Sequence, residues 1–312
     1  MHTVLFVVLP IFALILVGYL CRKSGKLGPT AASEINRMVV WLCLPALLFK
    51  VTATATWSEI WQPGFILAFG LGTLAMFAAT VAWRMLNGHS LVSSSIDGLS
   101  AGYANTGYIG IPLCALVFGQ PGLQPALIST LIVVCVLFAI AVICIEVGLQ
   151  QEKHLGRAVA VVLRALAKNP LVIAPLAGAV WATTGLGIAV PVVHFLDMLA
   201  AATTPCALVS LGLFLAQKTS GERTSNPWPL VAMKLVGQPL VTWVLAFKVF
   251  ALQPMWATSA VLLSALPTGT GPFMLAEYYN REAGVISRVI LISTVGSLIT
   301  LGMLLYGFRI SA

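Results

Sequence analysis

The sequence predicts an all-α polytopic membrane protein of ten transmembrane helices, arranged as two inverted five-helix repeats. Three observations predict it. The 312 residues are 59% hydrophobic and only 8% charged, against about 25% charged in an ordinary soluble domain, and the mean hydropathy is +1.00. So few charges cannot cover a soluble globule of this size, which excludes a cytosolic enzyme, a disordered chain and a secreted disulfide scaffold. The apolar residues also run in unbroken blocks of spanning length instead of alternating, which argues against a transmembrane β-barrel. Finally, two similar proline- and glycine-rich stretches sit at matching places in the two halves, whose orientations are opposite because five is odd.

On the ruler of about 20 apolar residues per spanning helix, the segments are 3–21, 33–53, 64–84, 93–118, 126–149, 169–185, 190–217, 228–251, 255–279 and 289–308. The first resembles a signal peptide in its apolar run, but its positive charges, Arg22, Lys23 and Lys26, follow that run where a cleavable signal carries them before it. It is read as a first spanning helix.

Lysine and arginine set the orientation. One side collects Arg22, Lys23, Lys26, Arg37, Arg84, Lys153, Arg157, Arg164, Lys168, Lys218, Arg223, Arg281 and Arg288, and the other only Lys50, Lys248 and Arg309. The positive-inside tendency then places both termini outside the cytoplasm. The net charge of +8 is thus topological information and implies no nucleic-acid partner. The stretch 150–168, with Leu155, Val159, Val162 and Leu163 between basic residues, reads as an amphipathic helix on the inner surface. It divides the chain into repeats at 1–149 and 169–312.

The internal similarity lies in the fourth and ninth segments. Ala104-Asn105-Thr106-Gly107-Tyr108-Ile109-Gly110-Ile111-Pro112-Leu113 matches Leu266-Pro267-Thr268-Gly269-Thr270-Gly271-Pro272-Phe273 as a Thr-Gly pair followed by a second Gly shortly before a Pro. The second and seventh segments correspond more weakly through Pro45 and Pro205, which are read as helix breaks as well. Glycine costs about 1 kcal/mol relative to alanine inside a helix and proline about 3, so both stretches should interrupt their helices, with Pro112, Pro267, Gly271 and Pro272 at the breaks. Freed backbone groups cannot face lipid and must be buried or line a wet cavity.

Half-helices beginning near Pro112 and Pro272 would aim two positive dipole ends at the midplane, an arrangement that favours an anion. Asn105, Thr106, Thr268 and Thr270 add polar side chains at that depth, and Gly107, Gly110 and Gly269 expose backbone. The competing reading is a pair of kinks packed dry against neighbouring helices.

Ionisable groups within spans are functional candidates by default. Asp97 precedes the first break by about two turns; His194 and Asp197, three residues apart, would form a proton-responsive pair or an interfacial hydrogen bond. Lys234, one turn before Gln238, would neutralise Asp97, attract an anion or snorkel to the surface. Glu146 and Glu277 are expected to be solvated near span ends. Proton coupling through His194 and Asp197, or sodium held by carbonyls at the breaks, are both open. Trp57, Trp61, Trp228, Trp256, Tyr278 and Tyr279 fall near span ends as interface anchors, while Tyr103 and Tyr108 flank the first break as substrate contacts or packing residues. Six scattered cysteines read as small core residues, with no metal site. Nucleophile-elbow, zinc-protease and nucleotide-loop motifs are missing, which argues against an enzyme; no cofactor is expected.

Asn105-Thr106-Gly107-Tyr108-Ile109-Gly110-Ile111-Pro112, the run Leu44-Pro45-Ala46-Leu47-Leu48-Phe49, and Leu266-Pro267 leading to Leu275-Ala276-Glu277-Tyr278-Tyr279 resemble the auxin efflux carrier family, in its short bacterial members described as malate or malonate permeases. The resemblance spans the whole chain without the long central loop of many plant members. It implies that the fourth and ninth helices cross at their breaks, and that the first, second, sixth and seventh form a scaffold against which the rest moves as an elevator. It further implies that Asn105 and the Pro112 break bind a substrate carboxylate, with Leu48 and Phe49 walling the pocket. The glycine-rich 268–271 run departs from the family pattern and would suit a small polar anion. The expectation is a secondary transporter of small mono- or dicarboxylates in a bacterial inner membrane, contacting lipid and assembling as a homodimer. An anion channel or a ligand-sensing receptor using the same pocket is the rival.

Overall fold

A segment of mostly Leu, Ile, Val, Ala and Phe, removed from water, must pair every backbone amide and carbonyl within itself, and a helix does so. The computed structural model describes residues 2–56, 61–149, 164, 167–217, 226–279, 281 and 283–308 and is all-helical among them. In chain order the helices are α1 (His2–Lys23), α2 (Ala31–Thr54), α3 (Pro63–Leu86), α4 (Leu91–Gly102), α5 (Thr106–Phe118), α6 (Gln120–Leu149), α7 (Pro170–Thr183), α8 (Val190–Leu215), α9 (Trp228–Val249), α10 (Pro254–Ser264), α11 (Gly271–Tyr278) and α12 (Ala283–Gly307). Among the described residues six of these, α2, α3, α6, α8, α9 and α12, are long and apolar enough to cross a membrane. The amphipathic helix expected over 150–168 falls almost entirely outside the described residues, as does Trp57; the side chains of Glu277 and Tyr278 do too.

Prolines act in two different ways. In α2, α5 and α9 a widened π-turn, at Val39–Cys43, Thr106–Gly110 and Met233–Gly237, ends two residues before Pro45, Pro112 and Pro239. A proline inside a helix removes one hydrogen bond and crowds the carbonyl four residues back; here that carbonyl lies in the widened turn each time, so the helix continues. Pro45 therefore does not break α2, and Pro205 lies inside α8 without interrupting it. The interruptions fall at 103–105, between α4 and α5, and at 265–270, between α10 and α11.

Packing sorts the helices into two groups. In one, α1 runs against α8, and α2 against α7 and α8; in the other, α3, α4 and α6 pack together, α9 packs on α3 and α10, and α11 contacts α4 and α12. The first group relies on very close backbone approach, the means by which membrane helices associate without a hydrophobic drive. A Cβ placed on Gly212 would lie 1.9 Å from the Ile15 carbonyl oxygen, and one on Gly18 would lie 2.2 Å from that of Val209. Interface anchors also separate: Trp61 and Trp228 are exposed, whereas Trp256 is buried with its ring edge-on to Phe65 at 5.2 Å. Tyr279 donates to Glu146 at 2.7 Å, so that carboxylate is paired and not merely solvated.

Gly212→Val should force α1 and α8 apart and cost at least the roughly 1–3 kcal/mol of ordinary overpacking, because the obstruction is backbone. Gly187→Ala, at a position with open space around it, should leave the protein unchanged. Thermal denaturation in detergent checks both.

Candidate functional site

The two interruptions meet and pair with each other. The Asn105 amide donates to the Pro267 carbonyl and the Gly269 amide to the Tyr103 carbonyl, each at 2.9 Å, which makes Ala104 and Thr268 an antiparallel β-bridge. Backbone that lipid could not satisfy is thereby satisfied by the other break. Side chains complete the accounting. Thr268 Oγ1 donates to the Ser100 carbonyl at 2.8 Å, and the Thr268 amide donates to Ser293 Oγ at 3.1 Å. Gln238 Nε2 donates to the Gly102 carbonyl at 3.1 Å, and Lys234 Nζ to the Ser264 carbonyl at 2.6 Å. Both C-terminal carbonyl ends facing the crossing, those of α4 and α10, are thus capped from α9.

Opposite these ends lie the first turns of α5 and α11, whose amides have no intrahelical acceptor. Asn105 caps α5, its Oδ1 accepting from the Tyr108 amide at 3.3 Å. Its Nδ2 has no partner among the described residues, although the residue is only 5% exposed. Beside it is a cavity of about 270 Å³. One wall comes from α2 (Asn36, Arg37, Val40, Trp41, Leu44, Leu48) and the start of α7 (Asn169, Leu171). The other comes from residues 103–108, from Thr130, Val134 and Phe138 of α6, and from Thr270, Gly271 and Met274. The cavity therefore lies between the two packing groups. The Tyr108 hydroxyl donates to Asn36 Oδ1 across that border, separating this cavity from a smaller one of about 210 Å³ between α2, α8 and α11.

Of the residues singled out from sequence, Asn105, Thr106, Gly107, Tyr108, Thr270 and Leu48 line the cavity, joined by Gly271. Gly110 instead packs against Leu263 and Leu266, and Thr268 is fully buried in the crossing. Phe49 does not line the cavity; its carbonyl lies against α7 at Gly178. The glycine-rich run has a packing cause: a Cβ on Gly269 would sit 2.9 Å from the Tyr103 ring, and one on Gly271 2.6 Å from it. Pro112 is buried in α5 beyond the break, Pro267 supplies the bridging carbonyl, and Pro272 occupies the first turn of α11, where a missing amide hydrogen costs nothing.

The ionisable candidates disperse. Asp97 is buried against Arg84 of α3, with Nε to Oδ2 at 2.6 Å, and is not neutralised by Lys234. Asp197 pairs with Lys50 of α2, while His194 is exposed. Lys234 is completely buried and does not snorkel. Among the described residues no group of three or more His, Cys, Asp or Glu could hold a metal ion, and the cysteines are free.

Sequence reasoning missed Arg37, Asn36 and Asn169, counting Arg37 only as a topology marker. The signal was present: stepping back from Leu48 by one turn at a time along α2 reaches Leu44, Val40 and Asn36. Arg37 meets Glu34 at 3.6 Å with both side chains largely exposed, a pairing that contributes little and leaves the guanidinium available.

Several membrane-length apolar helices, with a cavity beside two paired helix interruptions, define a multi-pass membrane protein. The family model described as Membrane transport protein matches residues 3–305, and the chain belongs to that family, the auxin efflux carrier-like one that its fourth and ninth segments resemble; it is a transporter and not an enzyme. It is 30% identical over 307 residues, covering 98% of this chain and 96% of the other, to a protein of Rhizobium meliloti named "Putative malonate transporter". It is 26% identical over 304 residues to an "Uncharacterized transporter" of Methanothermobacter thermautotrophicus, covering 94% and 95%. It is 22% identical over 311 residues to the "Uncharacterized transporter YfdV" of Escherichia coli, covering 97% and 96%.

Thr268→Val should lower stability by about 1–3 kcal/mol, since it leaves the buried Ser100 carbonyl unpaired. Gly271→Ala should also destabilise, and Tyr103→Leu in the same chain should recover part of the loss by relieving the ring contact. Denaturation of the single and double variants reads both effects.

Proposed function

We propose that the protein is a secondary transporter of small organic anions, with short dicarboxylates such as malonate as its best substrates. The observation that carries this reading is the unpaired Asn105 Nδ2, buried beside a cavity at which two helix N-termini converge. An amide with spare donors and two positive dipole ends is a carboxylate-binding arrangement. Arg37 at the cavity wall adds a full positive charge in the bidentate geometry that a second carboxylate fits. A cavity of about 270 Å³ is at the small end of ligand pockets, commonly roughly 300–1,000 Å³, which favours a short diacid over an aromatic one. The malonate in the name of the Rhizobium meliloti relative agrees with this.

The same geometry supports alternating access. In this reading, 1–149 and 169–312 are inverted five-helix repeats joined by 150–168, giving ten spans in a bacterial inner membrane with both termini outside. The group α1, α2, α7 and α8 is the scaffold, and the remaining helices move past it as an elevator with the crossing inside. Support comes from the division of the helices into two packing groups and the location of the cavity on their border. Because Arg37 lies on the lysine- and arginine-rich side, the cavity belongs to the inward-open state. A second copy would hold the scaffold in place as a homodimer.

Thermal stabilisation of the purified protein by a carboxylate panel tests the reading. Malonate should raise the midpoint; Asn105→Ala should lower the unliganded midpoint by the roughly 0.5–2 kcal/mol of a lost α5 cap and abolish the malonate shift from that lower midpoint; and Arg37→Gln should weaken malonate at least tenfold while leaving a monocarboxylate such as acetate nearly unchanged. Stabilisation of Asn105→Ala equal to wild type contradicts the site.

A further inference from the structure

Away from the crossing, on the border of the two packing groups, a groove of about 710 Å³ runs between α1 and α12. Leu9, Phe12, Leu16 and Tyr19 of α1 form one wall, and Leu291 and Leu298 of α12 belong to the other. The α1 residues recur at steps of three and four, so they share one face of the helix. Leu9, Leu16, Leu291 and Leu298 are exposed, and α12 is of membrane length, so the groove opens toward hydrocarbon.

The next step of four along the same α1 face reaches Lys23, whose Nζ stands 5.6 Å from the centre of the Tyr19 ring. Arg22 and Lys26 lie beside it, and none of the three pairs with a carboxylate among the described residues. The charged residue of α12 is Arg288, one turn before Leu291, and the lysine and arginine count puts it on the same side as Lys23. Toward the other end, beyond Leu9 and Leu298, the two helices carry no Lys, Arg, Asp or Glu. The groove is thus apolar along its length and cationic at one end.

An occupant complementary to that pattern has a long apolar body and an anionic head. We infer that the groove binds an anionic phospholipid, with an acyl chain between α1 and α12 and its phosphate at Arg22, Lys23 and Lys26, the basic arrangement that anionic headgroups favour at a membrane surface. A neutral lipid has the body without the charge, and a soluble phosphate the charge without the body. A second copy of the chain fits less well, because a two-fold axis along the membrane normal would set one Lys23 cluster against the other in the same leaflet. Since α1 packs with α8 and α12 with α11, the lipid bridges the two packing groups and stabilises the arrangement they have here.

The test titrates delipidated protein in a neutral detergent with phosphatidylglycerol, with phosphatidylcholine of the same acyl chains, and with glycerol 3-phosphate, reading the thermal midpoint. Phosphatidylglycerol should act at concentrations at least roughly tenfold lower than phosphatidylcholine, and glycerol 3-phosphate should have no effect. Arg22→Gln combined with Lys23→Gln should bring phosphatidylglycerol to the level of phosphatidylcholine, whereas Lys248→Gln, in the last turn of α9, should leave the preference intact. Leu16→Trp, which fills the groove, should weaken both lipids. Equal responses of the wild type to the two lipids overturn the inference, as does a response to glycerol 3-phosphate alone. It is equally overturned by a preference that survives in the double variant or disappears in Lys248→Gln. A wild-type dimer that Leu16→Trp converts to a monomer assigns the groove to a second copy instead. If the double variant yields no folded protein, the wild-type titrations decide. No carboxylate enters the experiment, so its result is independent of the substrate assigned to the crossing.

Discussion

The structure depends on an antiparallel pairing between two short stretches of extended chain in the middle of the helical bundle. Residues 103–105 and 265–270 leave their helices, and a lone break of either kind would strand amides and carbonyls where no water reaches them. Laid side by side they satisfy one another through the Asn105 amide on Pro267 and the Gly269 amide on Tyr103. Neither break is tolerable alone, which is the physical reason the two must face each other across the molecule. Once they do, four helix ends are brought to one place, two presenting amides and two presenting carbonyls.

That placement divides the labour around the crossing. The carbonyl ends are closed off by α9, through Gln238 and Lys234, and by Thr268 reaching the end of α4. The amide ends are left toward the cavity, with Asn105 spanning the two tasks: its backbone bonds the other break, its Oδ1 caps α5, and its Nδ2 remains unpaired. The cavity borders α2 and α7, which belong to the other packing group, and the Tyr108–Asn36 hydrogen bond crosses the same border. Movement of one group against the other would therefore change access to the cavity and break that bond together.

Much of this was legible in the residues, and what was not has identifiable causes. Glycine and proline density located both interruptions, because backbone propensity is local. The same logic over-reached at Pro45 and Pro205, since a π-turn absorbs one proline and a continuous helix contains the other. Thr268 and Thr270 look equivalent in sequence, yet one faces Ser100 and the other the cavity, a difference that only the packing of α4 decides. Pairings between distant segments, Asp97 with Arg84 and Asp197 with Lys50, displaced the partners that short-range spacing suggested. Arg37 was hidden because a basic residue near a span end is read as a topology marker before it is read as a ligand.

The central claim is that the crossing carries a small dicarboxylate through the membrane. Counterflow of labelled malonate into proteoliposomes containing the purified protein tests it most directly. The account predicts saturable uptake that is accelerated by unlabelled malonate inside and competed by other short diacids, because one cavity serves both sides in turn. Uptake that rises linearly with concentration and ignores internal malonate would contradict it and indicate an open pore, and no uptake of any diacid would leave the polar crossing without the substrate assigned to it.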